Sequence, residues 1–201
     1  NEVFTRWLRG LEHVKFAGEA SHTPIRLVDF ADPANNTLMV ADEVSYGTPS
    51  HKARFDVVLY INGIPVVVGE TKTATSAMVS WLNGARDVAE VYQPTWPAFF
   101  VPNVFCFATE GKMLAAASTG APVAAWQGWG PTVPAPNLID VLRSVESLLA
   151  PATVLTLLRD YVVFEAPEDN LSGMRKLMAR YMQFDAVELL KSKPDVGARV
   201  T

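Results

Sequence analysis

The stretch from Arg54 to Lys72 constrains this chain more than any other. It reads Arg-Phe-Asp-Val-Val-Leu-Tyr-Ile-Asn-Gly-Ile-Pro-Val-Val-Val-Gly-Glu-Thr-Lys. Two apolar, β-branched runs flank Asn62-Gly63, a pair that accepts left-handed backbone and so predicts a β-hairpin. Three charges interrupt the apolar runs: Asp56 on the first strand, and Glu70 and Lys72 at the end of the second. A charge on a buried strand is costly unless it is paired or holds a metal. Three of them on one hairpin point to a site.

Side chains alternate along a strand, so Glu70 and Lys72 share a face. Whether Asp56 joins them depends on the turn. A two-residue Asn62-Gly63 loop without irregularity sets Asp56 opposite Gly69 and on the wrong face. A three-residue loop, Ile61-Asn62-Gly63, or an equivalent bulge returns Asp56 to the side of Glu70 and Lys72. A common site therefore requires one extra residue in the hairpin.

Two neighbouring carboxylates resist ionising together, and a divalent cation between them removes that penalty. Oxygen donors favour Mg²⁺ or Mn²⁺. Asp56 and Glu70 are the candidate ligands, with the backbone carbonyl of Thr71 as a further oxygen. Lys72 is placed to orient or help deprotonate a water and to offset charge on a phosphoryl transition state. Hydrolysis of a phosphodiester is the reaction these roles suit. The plain alternative is a Lys72 salt bridge to Asp56 or Glu70 at a strand end.

Elsewhere the pattern is that of an α/β protein. Glu2–Val14 reads as a helix, Ile25–Phe30 and Thr37–Val44 as strands, and Ser45–Ala53 as a loop into the hairpin. A helix follows from Thr73–Ser76, weakened by Gly84 and ended by Pro94 and Pro97. Val104–Ala108 and Met113–Ala117 read as strands. The Pro- and Gly-rich passage Gly120–Pro136 divides a core, residues 1–136, from a helical extension, residues 137–201. In that extension Asn137 caps a helix through Leu149, Pro151 starts the next, Glu165–Asn170 is a charged loop, and Leu171–Lys191 forms a last helix. Its Arg175, Lys176, Arg180, Lys191 and Lys193 are expected on a solvated or interdomain face.

Composition bounds the rest. The net charge of −4 does not demand a phosphate-binding basic face. No apolar run approaches the ~18–20 residues of a membrane span. Cys106 is the only cysteine, so no intrachain disulfide forms and a reducing cytoplasm is the default. The opening Asn1-Glu2-Val3-Phe4 has no Met, basic segment or apolar core, which suggests a natural start further upstream. His13, His22 and His51 lack metal-ligand spacing. Trp126 and Trp129 are read as packing residues.

Asp56 followed by Glu70-Thr71-Lys72 on a hairpin, with a helix after it, resembles the PD-(D/E)xK nuclease superfamily. The longer series Arg54–Lys72 is similar to the nuclease domain of type I restriction endonuclease R (motor) subunits. The likeness continues through Phe99–Asn103 and Phe107–Gly111, then Leu158–Phe164 and Ala179–Val187. The resemblance implies a restriction-endonuclease-like mixed β-sheet flanked by helices, with the C-terminal helical extension leading towards ATP-dependent motor domains. It also implies a Mg²⁺-dependent DNA endonuclease whose metal ligands are Asp56 and Glu70 and whose catalytic lysine is Lys72. Its partners would be double-stranded DNA and the methylation and specificity subunits of a restriction complex. Weak or no cleavage is expected from the chain alone, and no Walker-type loop for ATP occurs in it. Phe55 stands where the family usually has Pro. On the following helix the family's Gln-x-x-x-Tyr motif matches Tyr92, a candidate DNA contact, but Val88 occupies the Gln position. Glu2 or Glu12 could add another acid from the first helix, although surface charge is the plainer reading. The alternative function is a catalytically silent nuclease-fold module that docks subunits or motor domains.

Overall fold

The computed structural model describes residues 1–76, 78–166 and 173–193. Its centre is a six-stranded sheet of β3 (Leu38–Thr48), β4 (His51–Ile61), β5 (Ile64–Thr71), β6 (Phe105–Thr109), β7 (Leu114–Ser118) and β8 (Gln127–Gly128), in that spatial order. All neighbours are antiparallel except β5 and β6. That parallel pair needs a crossover. It is supplied by α2 (Trp81–Arg86), which runs on through a π-helical stretch, Asp87–Tyr92, and a last turn, Gln93–Thr95, followed by α3 (Pro97–Phe100).

Helices cover both faces. Ala85, Val88, Phe99 and Phe100 pack on Phe55, Val58, Val68, Cys106 and Ala108. On the other face, α4 (Leu138–Leu149) and α5 (Pro151–Thr156, continued by the π-helical Leu157–Tyr161) bring Leu148, Val154, Leu155, Leu157 and Leu158 onto Leu59, Val67, Phe105 and Phe107. Between two layers a strand has no polar face, which is why Val66–Glu70 is buried without a break. Burying each Val, Leu or Phe contributes about 1.5–3 kcal/mol. Asn137 caps α4 by accepting from the Asp140 amide at 3.0 Å, and Pro151 opens α5. Among the described residues no single helix is long and apolar enough to cross a membrane.

Several elements differ from the sequence reading. The first helix, α1, spans only Glu2–Leu8; His13–Val14 (β1) pairs instead with Thr23–Pro24 (β2), and Ile25–Phe30 forms no strand. Ser45–Ala53 is not a loop, because β3 and β4 stay paired out to Thr48 and His51 around a tight turn. The helix expected from Thr73 begins at Trp81. There Ser80 and Asn83 form the cap, and the Glu110 carboxylate accepts from the Trp81 amide at 3.1 Å. Between α5 and α6 (Tyr181–Ser192) a two-stranded ribbon interrupts the helices: β9 (Val162–Glu165) and β10 (Arg175–Met178). The β-branched and aromatic run Val162-Val163-Phe164 explains it. Residues 167–172, which hold most of the expected charged loop and the start of the expected last helix, and 194–201 lie outside the described residues, as does residue 77.

Lys176 is the main correction in this region. It is on β10 rather than a helix, 7% exposed, and its ammonium donates to the Asn103 carbonyl at 2.8 Å. Burial pushes its pKa down from 10.5 to about 7. The folded state therefore binds this proton less tightly than the unfolded chain. The resulting penalty is largest below pH 7 and is relieved as pH rises from about 7 to about 10.4. Lys176→Met is expected to raise the thermal unfolding midpoint at pH 6, with the gain shrinking by pH 10. A gain that does not change with pH would contradict the buried-amine account.

Candidate functional site

The hairpin turn is Asn62-Gly63, with Ile61 paired to Ile64. Both turn residues have positive φ, 53° and 78°, as a type I′ turn requires. The Asn62 amide is fixed by donating to the Leu27 carbonyl at 2.8 Å, and its oxygen accepts from the Thr37 amide at 2.7 Å. The three-residue loop is therefore not the one used. The extra residue appears further on, where Tyr60 pairs with Pro65 but Leu59 pairs with Val67, leaving Val66 as a bulge. Val66 and Val67 consequently face the same core. Beyond the bulge Val57 pairs with Gly69, and one more step sets Asp56 across from Glu70. Directly opposed residues share a face.

A second irregularity sits at Asp56 itself. Asp42 pairs with Val57 and Val44 with Phe55, while Glu43, across from Asp56, adopts φ 50° and drops out of the ladder. Phe55 and Val58, three residues apart, both lie in the core under α2, so β4 is kinked at this point. The half-buried Asp56 turns its carboxylate to the end of β5. There Oδ2 accepts from both the Thr71 amide and the Thr71 hydroxyl, each at 2.8 Å.

Glu70 is 3% exposed. Its Oε1 accepts from Lys72 Nζ at 2.7 Å and, at 3.4 Å, from the Tyr92 hydroxyl; its Oε2 is buried without a partner. Burial pushes the Glu70 pKa up, the Lys72 hydrogen bond pulls it back, and the charges of Asp56 and Asp87 raise it further. The Lys72 ammonium also reaches Asp87 Oδ2 at 2.7 Å. Burial works against the charge on Lys72, but the hydrogen bonds to Asp87 and Glu70 outweigh it and hold the amine above its ordinary value. Tyr92 is pushed up to about 12, first by burial and then by the Glu70 carboxylate, so it keeps its proton.

The helix is brought to this cluster by close packing. A Cβ on Gly84 would meet Glu70 Cγ and Ala108 Cβ at 3.2 Å, so the residue that weakens α2 also lets it approach Glu70. Phe55 stands against Tyr92, Phe99 and Phe100, with ring centroids 5.3, 4.6 and 5.6 Å away.

The structure thus gathers Asp56, Glu70, Thr71, Lys72 and Tyr92. Val88 is fully buried in the core and offers the site no polar group. Glu12 pairs with Arg6, and Glu2 borders a different hollow of about 670 Å³ beside Trp129 and Lys176, which contains none of the five residues. The five residues are joined by their own hydrogen bonds and not by that hollow. Trp126 and Trp129 are core residues, and the three histidines are exposed. Asp87 is the residue that sequence reasoning missed.

Comparison with known proteins covers the same ground. Residues 1–122 match the family described as the type I restriction enzyme R protein N terminus. The chain belongs to that family. The matched region includes the hairpin, α2 and strands β6 and β7, and so every residue of the site. Over 197 residues the chain is also 26% identical to a protein of Haemophilus influenzae, the type I restriction enzyme HindI endonuclease subunit. That match covers 93% of this chain and 18% of the relative, so this R-protein N-terminal region spans less than a fifth of the relative's length.

Proposed function

We propose that the chain is the nuclease domain of a type I restriction enzyme R subunit, of the PD-(D/E)xK type, and that it hydrolyses phosphodiester bonds in double-stranded DNA with Mg²⁺ as cofactor. The observation that carries this reading is the Glu70 carboxylate, buried with one oxygen on Lys72 and the other unpartnered, and subject to the charge of Asp56 on the facing strand. An open buried acceptor is costly, and two adjacent carboxylates repel. A divalent cation relieves both.

Asp56 and Glu70 would hold the ion, with the Thr71 carbonyl as a further oxygen; Mn²⁺ suits the same donors. When bound, the metal supplies a polarised phosphate oxygen and a coordinated water of lowered pKa. Lys72 contributes a fixed positive charge where negative charge develops on the phosphate. Its hydrogen-bond partners, Asp87 and Glu70, are both carboxylates and favour the charged amine. Tyr92 donates to Glu70 and steadies the carboxylate from the helix side. In the complete enzyme, ATP-driven motor domains and the methylation and specificity subunits would deliver the DNA.

The test is a Mn²⁺ titration of the chain beside its Asp56→Ala and Glu70→Ala variants. Each substitution is expected to weaken binding about tenfold or more. Unchanged affinity in both variants removes the basis of the reading. The rival, a silent docking module, draws on the buried Val88 in place of a polar helix residue and predicts that unchanged result.

A further inference from the structure

The Asp-x13-Glu-x-Lys spacing accounts for two carboxylates and one ammonium, yet the structure places a third carboxylate on that ammonium. Lys72 Nζ lies 2.7 Å from Glu70 Oε1 and 2.7 Å from Asp87 Oδ2. Asp87 comes from the opposite layer, at the first residue of the π-helical stretch that ends at Tyr92. In an α-helix residues five apart are turned about 140° from one another, at 3.6 residues per turn. The wider π turn closes i to i+5 and brings such residues nearly into line. This is how Asp87 and Tyr92 come to address the same hairpin end.

On the nuclease reading, Lys72 has a difficulty that Asp87 resolves. With Glu70 shared with a divalent cation, Lys72 would lose part of its hold on that carboxylate. An amine held by Glu70 alone would then swing free on its four-carbon stem. A second carboxylate, Asp87 on the helix, keeps it in place.

We propose that Asp87 is a positioning residue that anchors Lys72 over the Asp56–Glu70 pair while the metal occupies Glu70. The inference rests on the nuclease reading. Its test compares Asp87→Asn, Asp87→Glu and Lys72→Ala in the complete R subunit assembled with its partners, measuring DNA cleavage and Mn²⁺ affinity. Asp87→Asn is expected to slow cleavage about 10²-fold, the scale of a misplaced catalytic group, while Mn²⁺ affinity falls far less than in Asp56→Ala or Glu70→Ala, since only one neighbouring charge is lost. The retained binding also reports an intact fold. Asp87→Glu, which restores the charge, is expected to recover most of the rate. Equal losses in Asp87→Asn and Asp87→Glu, or a loss of Mn²⁺ binding in Asp87→Asn as large as in Glu70→Ala, overturn the positioning role. If Lys72→Ala abolishes cleavage while Asp87→Asn cleaves at the wild-type rate, this inference fails and the nuclease reading stands. If Lys72→Ala cleaves at the wild-type rate, the nuclease reading itself fails.

Discussion

Lys72→Ala in the complete R subunit is expected to slow DNA cleavage by about 10²- to 10³-fold, the range seen when one preorganised electrostatic group is removed from a phosphoryl or acyl site. Mn²⁺ binding should stay as tight or become tighter. On the nuclease reading the two effects separate, because Lys72 and a metal would compete for one carboxylate. The ammonium sits on Glu70 Oε1 at 2.7 Å and on Asp87 Oδ2 at 2.7 Å, and partly offsets their charge. Removing it frees that oxygen and raises the local negative charge, both of which favour a divalent cation. What is lost is the fixed positive charge needed later, on the phosphate. Isothermal titration with Mn²⁺ and single-turnover cleavage read the two quantities independently. Loss of metal affinity in Lys72→Ala would show that the lysine organises the carboxylates and does not compete for them.

Gly69→Ala is expected to lower stability by about 3 kcal/mol or more, a fall of about 6–12 °C in the unfolding midpoint for a chain of this size. Gly69 is the register partner of Phe107 across the parallel β5–β6 pair, and the Phe107 ring fills the space a side chain would need. A Cβ there would stand 2.0, 2.3 and 2.6 Å from three ring atoms. The ring is buried under the helices of that face, so it has nowhere to move without opening the core. Adding Phe107→Leu to Gly69→Ala should recover part of the loss, because the shorter side chain yields the contested volume. If the single substitution leaves the midpoint within 2 °C of wild type, about the shift of a 0.5–1 kcal/mol change, the packing described between β5 and β6 is wrong.

The hairpin itself is legible in the sequence because its signals are local. Asn62-Gly63 specifies its own turn, and the unbroken Val66-Val67-Val68 run marks a strand covered on both sides. Asp56, Glu70 and Lys72 announced themselves as charges where charges are expensive. The errors came where the deciding contact is distant in sequence. Ser45–Ala53 is polar and looks like a loop, yet pairing along the whole of β4 holds it extended. Lys176 reads as surface charge until β10 lies against β7, where the Ser118 hydroxyl donates to the Lys176 carbonyl at 2.6 Å. Asp87 was hidden by the assumption of a regular helix, which turns it away from Tyr92; only the π turn aligns them. Asp56 was rightly tied to an extra residue in the hairpin, but its place at Val66 and not in the loop depends on packing against α4 and α5, which no local motif encodes.

The bulge at Val66 has a consequence for how such a site can be written in any chain. In an unbulged hairpin with a two-residue turn, directly opposed residues are separated by an even number of positions: two between Ile61 and Ile64, four between Tyr60 and Pro65. Asp56 and Glu70 are separated by thirteen, an odd number. One inserted residue is therefore implicit in the spacing, and it works from any position between the turn and the site. The chemistry fixes parity and leaves length and location free. Hairpin arms can gain or lose residues in pairs, or move the bulge along the strand, and still present both carboxylates on one side of the sheet. A single uncompensated insertion would preserve every strand and turn one carboxylate to the opposite side of the sheet.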